Sequence, residues 1–402
     1  DSIMIMLLNI ARVYKISGED KKMKKKVFGW ECLIFILCFC GFFGILISRM
    51  GAVNMLNTLL NTAYALLTDT VLYIMAIAVI MGGIAGLLTE FGVVALVNRL
   101  LSPLMKPLYG LPGASIIGIL TTYLSDNPAI LTLAGDNNFR RYFKKYQIPA
   151  LTNVGTAFGM GMIVTTYIIG IQNSTGESFV FAALLGNIGA VVGSIVSTRL
   201  MLIKTKKIYG NEKENIPGAE NLLTLNERII HEGNIGERFI NALLEGGKSG
   251  VNMGVAIIPG VLIICTVVMM FTNGCSTDGT FTGAAYEGIA LIPNMASKIQ
   301  GLLAFLFGFS SPECVSVPLT ALGAAGAAIG LIPTLVSKGL ASGNDIAVFT
   351  AMCMCWSGYL STHVAMMDGL KCRELTGHAI LCHTIGGFCA GISAHVLYVM
   401  LA

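Results

Sequence analysis

Charged side chains are scarce in this chain of 402 residues: Asp, Glu, Lys and Arg together make up 12% of it, where a soluble domain carries roughly 25%. With 54% of the residues hydrophobic, a soluble globular fold is disfavoured. The basic residues form no continuous solvated face, which argues against nucleic acid as a partner. They stand in short clusters at the ends of apolar runs, the pattern that orients a membrane protein. The eleven cysteines lack the spacing of a disulfide framework, and several (Cys32, Cys38, Cys40, Cys265, Cys389) lie inside apolar runs, so they read as small core residues. Also missing are a nucleophile with a paired base, a phosphate loop after a strand and any zinc-ligand spacing. The chain is therefore not read as an enzyme, and no tightly bound cofactor or resident metal is expected.

What is present is a series of apolar runs of the ~20 residues that cross a bilayer, at 27–47, 71–88, 179–196, 251–271 and 379–401. The first follows the block KKMKKK at 21–26 with no small-residue cleavage site nearby. It reads as a retained helix rather than a signal peptide, and the block places the N-terminus on the cytoplasmic side. Residues 54–69 space their apolar positions as an amphipathic helix, expected on the outer surface. A second span at 69–90 returns to Arg99 and Lys106, and the next basic cluster is RRYFKK at 140–145. The apolar stretch between them, about 111–134, is too short for two crossings, so it should enter and leave on one side as a re-entrant hairpin. Spans at 147–170 and 178–200 follow. The charged stretch 204–246, ending in an amphipathic segment at 228–244, reads as a cytoplasmic linker.

The second half repeats this order in the opposite orientation, with a span at 249–271, a hairpin at about 299–332, a span at 347–369 and a last span at 377–401. Of the expected outer loops, only Lys298, Lys338 and Arg49 at a helix end are basic, which agrees with the positive-inside rule. The expected fold is an all-α polytopic membrane protein of two inverted-topology repeats, each with a re-entrant helical hairpin and discontinuous helices. Its divisions are 1–68 (one span and the outer amphipathic helix), 69–205 (first repeat), 206–246 (linker) and 247–402 (second repeat).

Each hairpin carries a polar interruption, LSDNPAILTLAG at 124–135 and FSSPECVSVPLTALG at 309–323. In both, an N-cap residue (Asn127, Ser311) precedes a proline (Pro128, Pro312), the arrangement that opens a helix. A half-helix starting at membrane depth presents backbone donors and a positive dipole end to an anionic or hydrogen-bonding group. Asp126 and Glu313 stand beside these starts. An acidic residue at that depth costs at least ~2.5 kcal/mol unless it is paired or functional, so both are candidates for contact with a coupling ion or solute; as plain caps they would satisfy amides that lipid cannot.

The span after each hairpin has a polar, glycine-rich patch, TNVGTAFGMGMIVTT at 152–166 and CWSGYLSTHVAMMD at 355–368. Asn153, Thr156, Ser357, Ser361 and Thr362 are candidate hydrogen-bonding groups there, and Gly155 and Gly358 are candidate points of unwinding. Ordinary small-residue packing of transmembrane helices would use the same composition. His363 and Asp368 suggest a proton relay, against which stands their spacing of five on different helix faces. Met352, Cys353, Met354 and Cys355 alternate along a helix and do not converge on one ion. The glycine pairs in GGIAG (82–86) and GAVVG (189–193) fit close helix contact.

The segment GLPGASIIG at 110–118, then a capped proline break, then a glycine-rich polar span resembles the Gate, or nucleoside-recognition, domain. That domain occurs, usually twice, in concentrative nucleoside transporters, in the membrane part of bacterial ferrous-iron transporters and in spore-maturation membrane proteins. The resemblance covers residues 69–402 at the level of architecture. The phosphate-loop domain attached to ferrous-iron members is not found here, which lowers that reading. The resemblance implies a solute, and a sodium ion or proton, held at the two hairpin tips and the broken spans beside them. Substrate contacts would then come from Asn127, Ser311, Glu313, Asn153, Thr156, Ser357 and Ser361, with the coupling ion at Ser125, Asp126 and Glu313. It also implies a multi-pass protein of the bacterial cytoplasmic membrane that forms homo-oligomers.

The expected function is ion-coupled secondary transport of a small polar solute, a nucleoside or nucleobase first, a small organic anion or amino acid second. The alternative in another class is a non-transporting membrane module that acts with a partner.

Overall fold

The computed structural model describes residues 29–127, 129–130, 137–140, 142–171, 178–212, 230–275 and 278–402. Among them the regular structure is helical, with no β-strand, as a chain must be that satisfies its backbone without water. Six of the described helices are long and apolar enough to cross a membrane. The basic block at 21–26 and the linker residues 213–229 lie outside the described residues.

The chain divides into two compact units, Asp1–Gly51 and Ala52–Ala402. The first contains α1, Trp30–Met50, whose Phe35, Phe39 and Ile34 are exposed, the surface a lipid-facing helix presents. All the elements that follow belong to the second unit.

Helix α2 runs without a break through Ala52–Glu90, 39 residues. The amphipathic stretch expected as a separate surface helix is its first part: Ala52–Ala65 passes through a π-helical segment, Leu66–Val71, into Leu72–Glu90. Asn54 and Asn61 donate from this part to the carbonyls of Phe281 and Gly283, each at 2.8 Å, so its polar face is occupied by a loop. The same happens to the second amphipathic stretch, of which 230–244 is described. Asn234 and Glu237 form a capping box, and the helix that begins there, α8, continues through Ile235–Thr272, again with a six-residue π segment, Gly260–Cys265. In α2 no breaker separates the amphipathic from the apolar part, and in α8 the intervening Gly246 and Gly250 stay helical, packed on the backbone of α2.

Helices α2 and α8 are antiparallel and meet on glycine. A Cβ on Gly246 would lie 2.7 Å from the Gly82 carbonyl carbon, one on Gly82 would lie 3.1 Å from that of Gly246, and Gly86 faces Ala242. A second antiparallel pair forms between α7, Val180–Tyr209, and α14, Thr376–Leu401. There Gly189 and Gly193 face Ala390 and Gly386. Both glycine motifs legible in sequence are thus backbone-to-backbone contacts.

Between the members of these pairs each half has the same parts. After α2 comes α3, Val93–Tyr109, ended by left-handed Gly110, and then α4, Ser115–Leu124. After α8 comes α9, Leu291–Phe307, ended by left-handed Gly308, and then α10, Pro312–Ala321. The matched helices have equal lengths, 17 residues for α3 and 10 for α4. At roughly 26 Å, α3 is shorter than a ~30 Å hydrocarbon core. Its Leu96, Leu100, Leu104 and Leu108 form an exposed stripe at four-residue spacing, so it has the character of an interfacial helix, an element not anticipated from the sequence. The two halves share residue register as well. Gln147 Nε2 donates to the Gly110 carbonyl at 2.8 Å, and Asn344 Nδ2 to that of Gly308 at 3.0 Å.

The span after each hairpin is broken. In the first half α5, Ala150–Thr156, and α6, Gly161–Ile169, are separated by residues 157–160. In the second, α12, Gly343–Cys355, and α13, Tyr359–Gly369, are separated by residues 356–358. The chain is therefore a polytopic all-α fold of two inverted repeats with discontinuous helices.

Candidate functional site

The register moves the second hairpin relative to the sequence reading. Ser125–Asp126–Asn127 follow the ten-residue α4, so they form the tip of the first hairpin. Ser311–Pro312–Glu313 instead open the ten-residue α10, where the chain bends by 73° away from α9. They lie at the base of the second hairpin. Its tip is residues 322–324, between α10 and α11, Ala325–Ser337. Asp126 and Glu313 thus stand at opposite ends of their hairpins and do not occupy matched positions. Eight helical residues, 314–321, roughly 12 Å, separate Glu313 from the tip. Pro128 lies outside the described residues.

The base at Ser311 is held by a residue that the sequence reading missed. Asp345, fully buried, accepts from Ser310 N (3.0 Å) and Ser310 Oγ (2.6 Å), and from Ser342 N and Oγ (both 2.7 Å). Ser342 and Asp345 have the spacing of a capping box, so the signal was present in S-x-x-D. Ser311 is buried beside Cys314, with 3.5 Å between Oγ and Sγ.

At the first tip, Ser125 Oγ donates back to the Thr121 carbonyl at 2.6 Å, and Asp126 Oδ1 accepts from Asn127 N at 2.7 Å. Asn127 is 3% exposed. Its Nδ2 donates to the Ser357 carbonyl at 2.5 Å, and its Oδ1 is buried without a hydrogen-bond partner among the described residues. Gly159 in the first break comes against the same side chain, for a Cβ there would stand 2.7 Å from Asn127 Cγ and 2.8 Å from Ser357 Oγ. One asparagine therefore joins the first tip to both helix breaks.

The second tip reaches the same place. Gly358 N donates to the Ala321 carbonyl at 2.9 Å, and a Cβ on Gly358 would lie 3.2 Å from Gly323 O. Gly358 takes φ +57°, and in the first break the left-handed residue is Met160 at φ +55°, a conformation that carries strain for a side chain with a Cβ. Unwinding at Gly358 was legible; Gly155 is helical and the first break falls just after it. The π segment of α8 embraces the second tip, with Cys265 Sγ donating to Ala327 O at 2.9 Å and Ile264 against Gly323. Such segments collect at functional sites.

The remaining candidates are placed as follows. Asn153 Nδ2 donates to Ser197 Oγ (2.9 Å) and to the Ala379 carbonyl (3.0 Å), tying α5 to α7 and α14. Thr156 is buried and donates to Thr152 O at 2.8 Å. The side chain of Ser361 lies outside the described residues. His363 and Asp368 do not meet: Asp368 is exposed with Arg373 at 3.9 Å, while the His363 ring stands 4.7 Å from that of His383. No cluster of three or more His, Cys, Asp or Glu able to hold a metal ion occurs among the described residues.

A cavity of about 400 Å³ lies elsewhere, lined by Gly86, Thr89, Glu90, Ile230, His231, Ala242, Glu245 and Gly246. It sits where the C-terminal end of α2 meets the start of α8, far along those helices from the π segments. Its polar side is an ion-pair network in which His231 bridges Glu90 (2.8 Å) and Glu245 (3.0 Å) while Arg238 holds Glu90 at 2.6 Å. The hydrogen bond to Glu90, then that to Glu245, raise the His231 pKa above its ordinary value.

No protein-family model and no curated protein sequence matches the chain. Solved structures do. A doubly substituted form of CNTnw in an outward-facing state superposes with a TM-score of 0.55 at 13% identity over 92% of this chain and 84% of that one. CNTnw in an inward-facing substrate-bound state gives 0.51 at 12% identity over 91% and 84%. A substituted form in its intermediate 1 state gives 0.51 at 12% over 91% and 85%. CNTnw is a concentrative nucleoside transporter. The likeness is one of fold: this chain has the architecture of a concentrative nucleoside transporter across nearly its whole length.

Proposed function

We propose that the chain is a secondary transporter of a small polar solute, coupled to a sodium ion or a proton, with nucleosides and nucleobases as the first solute class. The solute site is placed where the first hairpin tip meets the second helix break, with Asp126, Asn127 and Ser357 as its polar groups. The observation that carries this is Asn127: a buried amide that bonds one break, abuts the other, and leaves a buried carbonyl oxygen without a partner among the described residues. Broken helices around a polar tip are the arrangement by which inverted-repeat transporters hold solute and ion at the midplane. Ser311 and Glu313 serve the base of the second hairpin in this reading. The chain sits in a bacterial cytoplasmic membrane with its N-terminus inside, as the basic block at 21–26 argues.

One observation favours the second solute class. Helices α11 and α13 both begin at the meeting point of the second tip and second break, and two helix N-termini directed at one place favour a carboxylate.

The test is thermal stabilisation of the purified protein by nucleosides, nucleobases, amino acids and organic anions, each with and without sodium and at two pH values. A ligand of the folded state raises the melting temperature by mass action. A shift confined to one class, growing with sodium or acid, supports coupled binding and names the class. No shift with any of them removes the transporter reading in favour of a module that acts with a membrane partner.

A further inference from the structure

We infer that His363 and His383 form a proton-binding site in the core behind the second helix break. Its coupling role rests on the transporter reading above; proton binding at the pair does not. Both imidazoles are fully buried, and their rings are 4.7 Å apart.

Hydrogen bonds assign the tautomers. His383 Nε2 faces the Cys355 carbonyl at 2.5 Å, and a carbonyl only accepts, so that nitrogen carries the hydrogen. His383 Nδ1 is then bare and accepts from Ser197 Oγ at 2.9 Å, and Ser197 in turn accepts from Asn153 Nδ2 at 2.9 Å. His363 Nδ1 faces the Tyr359 carbonyl at 3.0 Å and by the same logic carries its hydrogen. That leaves Nε2 of His363 as a bare lone pair, buried and without a hydrogen-bond partner among the described residues. It is the atom in this cluster that can take a proton from water and return it.

The pair is fastened to both sides of the break. His383 bonds Cys355, the last residue of α12, and His363 bonds Tyr359, the first residue of α13. A change in the break moves both rings, so protonation of the pair and the geometry of residues 356–358 are linked, and linkage is reciprocal. The titratable groups that face the pair are Tyr359 on the same helix, its ring 5.5 Å from His363 and its hydroxyl bonded to Thr384 at 2.7 Å, and Cys355 at the end of α12. From α5 and α7 the facing groups are Asn153 and Ser197, which do not titrate. Neither ring bonds an Asp, Glu, Lys or Arg among the described residues. An imidazolium here therefore has no bonded counter-charge among the described residues and persists only when the break admits water.

Trp356 lies in the break, 6.2 Å from Tyr359, and Trp30 is the one other tryptophan of the chain. In a Trp30→Phe background, fluorescence of Trp356 should show a step as the pH is lowered through the acid range, and His363→Gln should remove it. The same step in His363→Gln, or no step in either protein, would overturn the inference. His383→Gln, which keeps a donor for Cys355, is the second variant should His363→Gln not fold, and is expected to move the midpoint. In proteoliposomes supplied with radiolabelled uridine, an inward proton gradient should stimulate uptake, and His363→Gln should bring uptake down to the no-gradient level. Gradient stimulation surviving in His363→Gln would overturn the coupling role. A fluorescence step without uridine uptake in the wild type would leave the proton site standing and count against the transporter reading.

Discussion

Replacing Gly159 by alanine places one methyl group at the contact that joins the first hairpin tip to both helix breaks. Its Cβ would stand 2.7 Å from Asn127 Cγ and 2.8 Å from Ser357 Oγ, where ordinary contact starts at 3.4 Å. The nearest atom to that Cβ is Asn127 Oδ1, well inside contact distance, so the Asn127 side chain must turn or retreat, and its Nδ2 bond to Ser357, 2.5 Å at present, lengthens or bends. Overfilling a packed core costs about 1–3 kcal/mol, and weakening a buried hydrogen bond about 1–3 kcal/mol. The two overlap because they share one side chain, so we expect about 2–4 kcal/mol. That cost is read as a lower melting temperature, and displacement of Asn127, placed at the solute site, should weaken solute binding as well. Gly301→Ala is the control, since a Cβ there meets nothing within 4 Å. Both variants are to be melted across a concentration series of the solute that stabilises the wild type. If Gly159→Ala and Gly301→Ala keep the same melting temperature and the same stabilisation midpoint, the contact does not control the site and the reasoning is wrong.

Gly246→Ala should destabilise the protein by about 1–3 kcal/mol, read as a lower melting temperature, because its methyl would meet the Gly82 backbone, which cannot rotate away. Asp345→Asn keeps the shape but loses an acceptor for the Ser310 and Ser342 groups; we expect about 1–3 kcal/mol of destabilisation and faster proteolysis near residue 311. The pH dependence follows from His231. Its pKa is raised in the folded protein, so its contribution is complete below its ordinary value of 6.5 and is lost as pH rises through the folded value. The melting temperature of the wild type should thus fall relative to that of His231→Gln as pH is raised from 6.5 toward alkaline values, and parallel curves for the two proteins would contradict the assignment.

The spans were legible because an apolar run of bilayer length admits few readings, and the glycine pairs at 82–86 and 189–193 were legible because small residues four apart face one way on a helix. The first hairpin tip and the unwinding at Gly358 were legible from local chemistry. Other features were not. A cap followed by proline marks a helix start at either end of a hairpin, so Pro128 and Pro312 looked equivalent. Only the spacing from the left-handed Gly110 and Gly308 distinguishes tip from base. Residues 54–69 and 228–244 have amphipathic periodicity in isolation, and nothing local reveals that a π segment or an unbroken helix carries them into a span. His383 is twenty residues and one helix away from His363, a contact that arises only from the packing of α13 on α14. Met160 adopts a glycine-like backbone for which its own side chain provides no signal.

The most direct test of the account is uptake of radiolabelled uridine and adenine into proteoliposomes under an imposed inward gradient of sodium or of protons, with the wild type and Asn127→Ala compared. The account predicts accumulation above the equilibrium level under one of the gradients, collapse of that accumulation when an ionophore dissipates the gradient, and its loss in Asn127→Ala. Uptake no greater than that of protein-free liposomes under both gradients, or undiminished accumulation in Asn127→Ala, would contradict it.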